Sequence, residues 1–175
     1  MSKAFTRESD DAPDVPVRPH QPSPLPQGAK NYLTPDGAQR LREEMDRLMQ
    51  VDRPRIAGLA DKSESKHQLQ MLDERIRFLE RSLQTAVVVA PPDANEDRVR
   101  FGATVTVRER SGGESSYRIV GVDETDLDRG WVSWLSPIAK ALLNARIGQR
   151  VRFKLPSGEE ELEIVSIAYD VEDHA

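Results

Sequence analysis

Residues 69–83 read LQMLDERIRFLERSL, and this stretch decides how the first half of the chain folds. Its large apolar side chains recur at alternating spacings of three and four residues, which places them on one face of a helix. They are Leu69, Leu72, Ile76, Leu79 and Leu83. A seam with this heptad spacing is typical of a helix that packs along a partner helix. We therefore predict a helix from about Ser65 to Ala86.

The partner helix is predicted just upstream, because an apolar stripe with the same spacing occurs there. The stripe consists of Ala38, Leu41, Met45 and Leu48. Thr34 is a good N-cap for this helix, and Pro35 suits its first turn. Pro54 should kink or briefly break the helix, which we expect to end near Ala60. Two helices joined by a short turn predict an antiparallel helical hairpin, a two-helix coiled coil, over residues 31–90.

The chain on either side of this hairpin is rich in proline. Residues 1–30 hold six prolines between Pro13 and Pro26 and almost no large apolar side chains, which predicts a disordered tail. The prolines at 91 and 92 open a polar run, so we predict a linker over residues 91–97.

Residues 98–171 are predicted to form a small sheet domain with one helix. The segments VRFGATVTVRE, SSYRIVGV and WVSWLS have the composition of strands, and QRVRFKL and EEELEIVSIAYD predict a hairpin across the turn at residues 156–158. In SPIAKALLNA, Ser136 is the predicted N-cap and Pro137 the first helical residue. The fold class that follows is α+β.

Composition excludes several functions. The chain has no cysteine, so it can form neither a disulfide nor a zinc–thiolate site. It has no apolar run near the roughly 20 residues of a membrane span and no signal-peptide pattern, so we expect a cytoplasmic location. The net charge is −5, and residues 87–175 carry 16 acids against 11 bases. Without an evident basic patch, we expect any nucleic acid to be held through a partner.

The turn between the two helices contains ADKSES, residues 60–65, with two carboxylates three positions apart. Asp61 is predicted to cap the second helix while Glu64 reaches back, as in a capping box. The same pair could instead be directed at a metal ion, because carboxylate oxygens are ligands for hard cations such as Mg²⁺. The sequence leaves both interpretations open.

The order of these segments resembles the bacterial Gre transcript-cleavage factors, closest to the GreB members of that family. The resemblance is carried by LTPDGAQRLREEMDRL, DRPRI and DERIRFLERSL in the hairpin and by SWLSPIAKALLNARIG and LPSGEEELEIVSI in the sheet domain. It implies an FKBP-like sheet domain that docks on bacterial RNA polymerase and a hairpin that enters the polymerase secondary channel. It also implies that Asp61 and Glu64 help to hold Mg²⁺ at the polymerase active site, where RNA is cleaved. The chain would need no cofactor of its own and would not itself be the enzyme.

The chain departs from the family pattern at the tip. Family tips continue with an Asn-Ala-acid-Tyr run, whereas residues 65–68 are Ser-Lys-His-Gln here. The hairpin is also shorter by roughly a dozen residues, or about 10 Å of reach at 1.5 Å per residue along each arm. We therefore expect a polymerase-binding elongation regulator with weak or no cleavage stimulation.

Three other functions are alternatives to this one. One is an active cleavage factor that uses Asp61 and Glu64. Another is a polymerase binder like the short-hairpin regulators of nucleoside diphosphate kinase. Peptidyl-prolyl isomerase activity is suggested by fold alone, which is a poor guide to function.

Five residues of the sheet domain are candidate polymerase contacts. Ser136 and Pro137 lie in the segment most similar to the family. Asp123 and Glu124 open an acidic loop that we expect to be exposed. Trp131 and Trp134 are expected to face opposite sides of a short strand, which would leave Trp134 free to touch a partner. Because the helical seam can be satisfied within one chain, we expect a monomer.

Overall fold

The computed structural model describes residues 25–93 and 95–170. The predicted proline-rich tail lies outside the described residues as far as residue 24. The described chain contains both helices and a five-stranded sheet, so the predicted α+β class is confirmed. None of the described helices is long and apolar enough to cross a membrane.

Helices dominate residues 35–85, which we call the helical arm. Helix α1 spans Pro35–Arg47, α2 spans Arg53–Ala57 and α3 spans Lys62–Thr85. The predicted cap of α1 is confirmed, since Thr34 Oγ1 accepts a hydrogen bond of 3.0 Å from the Gly37 amide. That bond satisfies one of the amides left unpaired at a helix start.

The predicted apolar stripes meet in a small core within the arm. Leu79 is fully buried and packs with Ala38, Leu41 and Leu33. Burial of one such leucine contributes about 1.5–3 kcal/mol. Outside the core, Arg75 donates two hydrogen bonds of 2.8 and 2.9 Å to Glu44 across the helices.

A second ion pair lies farther along the arm. Arg53 donates to Asp73 at 2.9 Å, and this bond lowers the pKa of the Asp73 carboxyl and raises the pKa of Arg53. Both side chains are exposed to solvent, so the pair orients the helices more than it stabilises them.

Pro54 is accommodated by a change of helix type rather than by a break. The chain forms a π-helical turn over Leu48–Asp52, in which the Arg53 amide donates to the Leu48 carbonyl five residues back. Helix α2 then carries Pro54 in its first turn, where its missing N–H costs nothing. The helix ends at Ala57, slightly before the predicted end near Ala60.

Both ends of the arm are joined by a short parallel pair of strands. Strand β1, Asn31–Leu33, pairs with β2, Ala86–Val88, so that Leu33 lies beside Val88. The Asn31 side-chain amide donates to the Ser82 carbonyl at 3.1 Å and reinforces the pair. Neither strand was predicted, because three-residue strands carry no alternation that periodicity can detect.

The remaining strands form one sheet in the order β5-β4-β3-β7-β6. They span Trp131–Ser133 (β5), Glu114–Val120 (β4), Thr104–Glu109 (β3), Gly158–Ala168 (β7) and Arg150–Leu155 (β6). The predicted β6–β7 hairpin is confirmed by an antiparallel register that runs from Leu155–Gly158 to Arg150–Glu163. Within this five-stranded sheet, β4 and β5 are parallel and the other neighbouring strands are antiparallel.

The sheet has its own apolar core beneath helix α4, Pro137–Leu142. Val105, Ile119 and Leu142 are fully buried there. The predicted cap of α4 is confirmed, because Ser136 Oγ accepts from the Ala139 amide at 3.2 Å. The first predicted strand begins later than expected, at Thr104, because Gly102 turns the chain with a φ of +86°.

Candidate functional site

The tip of the arm is organised by Asp61. Its Oδ1 accepts hydrogen bonds from the amides of Ser63 at 2.9 Å and Glu64 at 3.1 Å, so the predicted N-cap is confirmed. Because Asp61 satisfies the first amides of the helix, α3 begins at Lys62, three residues before the predicted start. The expected return of Glu64 to the cap is wrong: its Oε1 accepts from the Gln68 side chain one turn along, at 2.9 Å.

Both tip carboxylates are exposed to solvent. Each uses one oxygen in the bonds above, and the other oxygen has no protein partner within the described residues. Lys62 and Lys66 are exposed on the same turn and reduce the local negative charge. No group of three or more potential metal ligands lies anywhere in residues 25–93 and 95–170. Two oxygens suit a hard cation but cannot complete its shell, so a metal held here would need ligands from a partner.

The acidic segment after β4 faces inward at its start, contrary to expectation. Glu124 has only 6% of its surface exposed, so its predicted exposure is wrong. Its Oε2 accepts from the backbone amides of Thr34 and Gly121, both at 2.9 Å, and its Oε1 accepts from the Thr34 hydroxyl. A buried carboxylate needs such donors to offset the loss of water.

Asp123 is half-buried and also turned toward the arm. Its Oδ2 accepts from the Ser82 hydroxyl on α3, and the Asn31 side-chain amide lies 3.4 Å away. The two acids predicted to meet a partner therefore connect the sheet domain to the base of the arm. Farther along the segment, Leu127 and Asp128 are exposed.

Two glycines make room for Glu124. A Cβ on Gly37 would overlap the Glu124 carboxylate and lie 2.8 Å from its Cγ. A Cβ on Gly121 would overlap the Tyr32 carbonyl oxygen and lie 2.9 Å from Glu124 Oε2. We call Thr34, Gly37, Gly121 and Glu124 the joint. Sequence reasoning missed it, although glycines beside a cap and beside an acid were visible in TPDG and GVDE.

Trp131 lies beside the joint with three guanidinium groups around its ring. Those of Arg40, Arg118 and Arg129 are 4.6, 5.0 and 5.2 Å from the ring centroid. Arg40 comes from the arm and the other two from the sheet domain, so the ring bridges the two units through cation–π contacts. Each guanidinium also has a carboxylate within 4 Å, from Asp36, Asp170 and Asp126 respectively. The cluster is therefore electrically balanced and does not favour an anionic ligand.

The other residues predicted to contact the polymerase, Trp134, Ser136 and Pro137, differ in how far they are exposed. Trp134 follows the end of β5 and is half-buried, with its ring centroid 5.1 Å from that of Tyr32. Its indole N–H is buried and has no hydrogen-bond partner among the described residues. Trp131 and Trp134 are both half-buried, and Trp134 packs against the apolar core of the sheet domain. Ser136 is used as a cap, whereas Pro137 is exposed.

The comparisons with known proteins assign this arrangement to a family. A family model described as "Transcription elongation factor, GreA/GreB, C-term" matches residues 94–169. Transcription elongation factor GreB of Neisseria meningitidis serogroup A is 42% identical over 155 residues, with 80% of this chain and 94% of that protein covered. Transcription elongation factor GreA of Alkalilimnicola ehrlichii is 41% identical over 156 residues, with 81% and 99% covered. The chain belongs to the GreA/GreB family of transcription elongation factors.

One solved structure also matches most of this chain. The GreA factor homolog 1 (Gfh1) protein of Thermus thermophilus is 24% identical, with 80% of this chain and 99% of that chain covered and a TM-score of 0.38.

The alignment with the Neisseria protein contains more positions than this chain contributes residues. The Neisseria alignment has 155 positions, but 80% of 175 residues is about 140, so about 15 positions lack a residue here.

Proposed function

We propose that this chain binds bacterial RNA polymerase through the secondary channel and regulates elongation with little or no stimulation of RNA cleavage. In this proposal the helical arm enters the channel and the sheet domain, of FKBP-like fold, docks on its rim. The chain acts as a monomer in the cytoplasm and meets nucleic acid only through the polymerase. Membership of the GreA/GreB family supports the choice of partner.

The observation that carries the proposal is the use of Asp61 as the N-cap of α3, on an arm that the sequence predicts to be short. Helix α3 has 24 residues, or about 36 Å at 1.5 Å per residue. A loss of about 10 Å of reach is large, because a displacement of even about 1 Å can impair a catalytic group. A tip that falls short would occupy the channel without placing its carboxylates at the reacting RNA.

The tip residues could still contribute to a metal site that the polymerase completes. A bound Mg²⁺ would make its water a stronger nucleophile near neutral pH. The residues of this chain that would hold the ion are Asp61 and Glu64, each through the oxygen that makes no hydrogen bond within the described residues. Their exposure favours the second candidate function, an active cleavage factor that docks more deeply.

Among the sheet-domain candidates, Pro137 best fits a polymerase contact, because it is exposed on the first turn of α4. Ser136, Asp123 and Glu124 have hydrogen-bonding roles within the chain, and Trp134 packs on Tyr32. A role for these four in binding would therefore be indirect, through the shape of the domain.

RNA cleavage in a purified, backtracked polymerase complex separates the two functions. Binding to polymerase is measured in the same samples, and an active factor of the family serves as the positive control. We expect binding and competition with the active factor, with little cleavage. Robust cleavage by the wild-type chain would overturn the proposal, and loss of both binding and cleavage would reject the polymerase as partner.

Substitutions at Asp61 then distinguish a cap from a metal ligand. Asparagine caps helices about as well as aspartate but lacks its charge. If the tip acts through a metal, Asp61→Asn should abolish any residual cleavage while leaving the fold intact. Glu80→Gln is the matched control, because Glu80 is an exposed acid on the same helix far from the tip.

A further inference from the structure

We propose that Glu124 is a positioning residue that fixes the direction of the helical arm relative to the five-stranded sheet. Its carboxylate belongs to the sheet domain, yet two of its three hydrogen-bond donors are the amide and hydroxyl of Thr34, directly before α1. The third donor is the amide of Gly121, at the end of β4 in its own domain. One buried group therefore binds both units at the point where the arm begins.

The two units have separate apolar cores, which meet at the base of the arm, where a Cβ on Gly121 would lie 3.1 Å from Leu33 Cδ2. The arm core contains Leu33, Ala38, Leu41 and Leu79, and the sheet core contains none of these residues. Loss of a contact between the units should consequently change their relative direction without unfolding either one. This separation makes orientation a property that individual joint contacts can control.

Two other kinds of contact between the units, ring packing and an ion pair, are less directional than the hydrogen bonds of the Glu124 carboxylate. Tyr32 packs against Phe101 and Trp134, with ring centroids 5.8 and 5.1 Å away, and rings in such contact can slide and tilt. The ion pair between Arg118 and Asp36 is 3.8 Å long, and Asp36 is exposed. Hydrogen bonds to a buried carboxylate are short and angularly restricted, so they specify direction.

Asp123 supports the same function from a second point. It accepts from Ser82 near the end of α3, while Glu124 accepts from Thr34 at the start of α1. The arm is thus tied at the base of both its long helices by adjacent residues. Glu124 is the more deeply buried of the two and has more donors, so it should dominate.

Small rotations at this base are magnified at the tip. Residues 35–57 span about 35 Å at 1.5 Å per residue. A rotation of about 10° at the joint would move the tip by about 6 Å over that length. The joint therefore sets where Asp61 and Glu64 lie relative to whatever surface the sheet domain contacts.

Distances between two spin labels test this proposal without any partner. Because the chain has no cysteine, Met71→Cys on the arm and Ile147→Cys on the sheet domain would carry the only labels. Both positions are exposed, with 57% and 60% of their surface accessible. Pulsed electron–electron double resonance then reports the distribution of distances between the two spin labels, one on the arm and one on the sheet domain.

We expect one narrow distance for the otherwise wild-type chain and a distribution at least twofold wider for Glu124→Ala. Glu124→Gln, which keeps the shape but loses the charge, should give an intermediate width. Asp128→Ala is the matched control, because Asp128 is an exposed acid in the same segment, and its width should be unchanged. Circular dichroism checks that helix content is the same in all variants.

An unchanged distribution for a folded Glu124→Ala chain would overturn the proposal. If that variant does not fold, Glu124→Gln decides: a wider distribution supports the positioning role and an unchanged one refutes it. A merely structural role would lower stability without altering the width at equal helix content. Since no polymerase is present, failure of the proposed function would leave this result unaffected.

Discussion

Replacement of Gly37 by alanine should destabilise the protein, although helix propensity alone predicts the opposite. Gly37 lies in the first turn of α1 and has an ordinary negative φ, so alanine fits its backbone. In a helix, alanine is favoured over glycine by about 1 kcal/mol. At this position, however, the new Cβ would overlap the carboxylate of Glu124.

The magnitude follows from the bonds that Glu124 would lose. The side chain accepts three hydrogen bonds in the folded protein, two from Thr34 and one from Gly121. Hydrogen bonds to a charged group contribute about 1.5–3 kcal/mol each. Loss of two of them costs about 3–6 kcal/mol, so the net destabilisation after the gain in helix propensity is about 2–5 kcal/mol.

Denaturant unfolding, followed by circular dichroism, measures this change in the free energy of unfolding. Gly58→Ala is the matched control, because a Cβ there would meet only the carbonyl oxygens of Arg55 and Pro54, at 3.5 and 3.6 Å. It should be neutral or stabilising by up to about 1 kcal/mol. If Gly37→Ala stabilises the protein as Gly58→Ala does, the steric account of the joint is refuted.

A double-mutant cycle makes the test independent of the absolute values. Glu124→Ala removes the group that the new Cβ would overlap. On that background, Gly37→Ala should stabilise the protein by about 1 kcal/mol, as expected from helix propensity. Two residues that do not interact would give additive effects, so additivity within about 0.5 kcal/mol would contradict direct contact between them.

Three further predictions concern single residues. Asp61→Ala should destabilise α3 by about 1 kcal/mol and Asp61→Asn should not, as measured by thermal unfolding; equal stability of both would contradict the cap. Trp134→Phe should cost less than about 1.5 kcal/mol, since the indole N–H has no partner within the described residues, whereas Trp134→Ala should cost about 3–5 kcal/mol in denaturant unfolding. The hydrogen bond from Arg152 at 2.8 Å lowers the pKa of the Glu161 carboxyl, and Arg110 adds to this effect. The stability that Glu161 contributes is therefore present above its unfolded pKa and is lost as the pH falls through its folded pKa. Glu161→Gln should lose less unfolding free energy than the wild type between about pH 6 and about pH 3, and an equal loss would show that this carboxylate is not responsible.

The sequence predicted those features that depend on neighbours along the chain. Thr34, Asp61 and Ser136 cap helices as expected, because a cap involves an amide only two or three residues away. The seam at Leu72, Ile76 and Leu79 is buried as its spacing predicts. The β6–β7 hairpin was also predictable, since its turn and both strands are adjacent.

The features that were not predicted depend on residues far apart in sequence. An acid in the run DETDLD is usually solvated, and only the amides of Thr34 and Gly121 make Glu124 a buried group. Strands β1 and β2 are separated by the whole arm and are too short to show a period. The π-helical turn is an exception, because it depends on Pro54 close by in the sequence, which indicated only that regular helix would be disturbed.

The parallel pairing of β1 with β2 has an evolutionary consequence. Because Leu33 and Ala86 belong to two short strands that pair with each other, roughly 50 residues depart and return at one place, and loop-closure entropy depends only weakly on that number. Removal of about 15 residues from such an excursion changes its closure cost by only about 0.2 kcal/mol. The arm can therefore be lengthened by paired insertions or shortened by paired deletions in its two helices during evolution, while the rest of the molecule stays the same. Arms of different relatives should likewise be exchangeable at this boundary if the bonds from Thr34 to Glu124 and from Ser82 to Asp123 are kept.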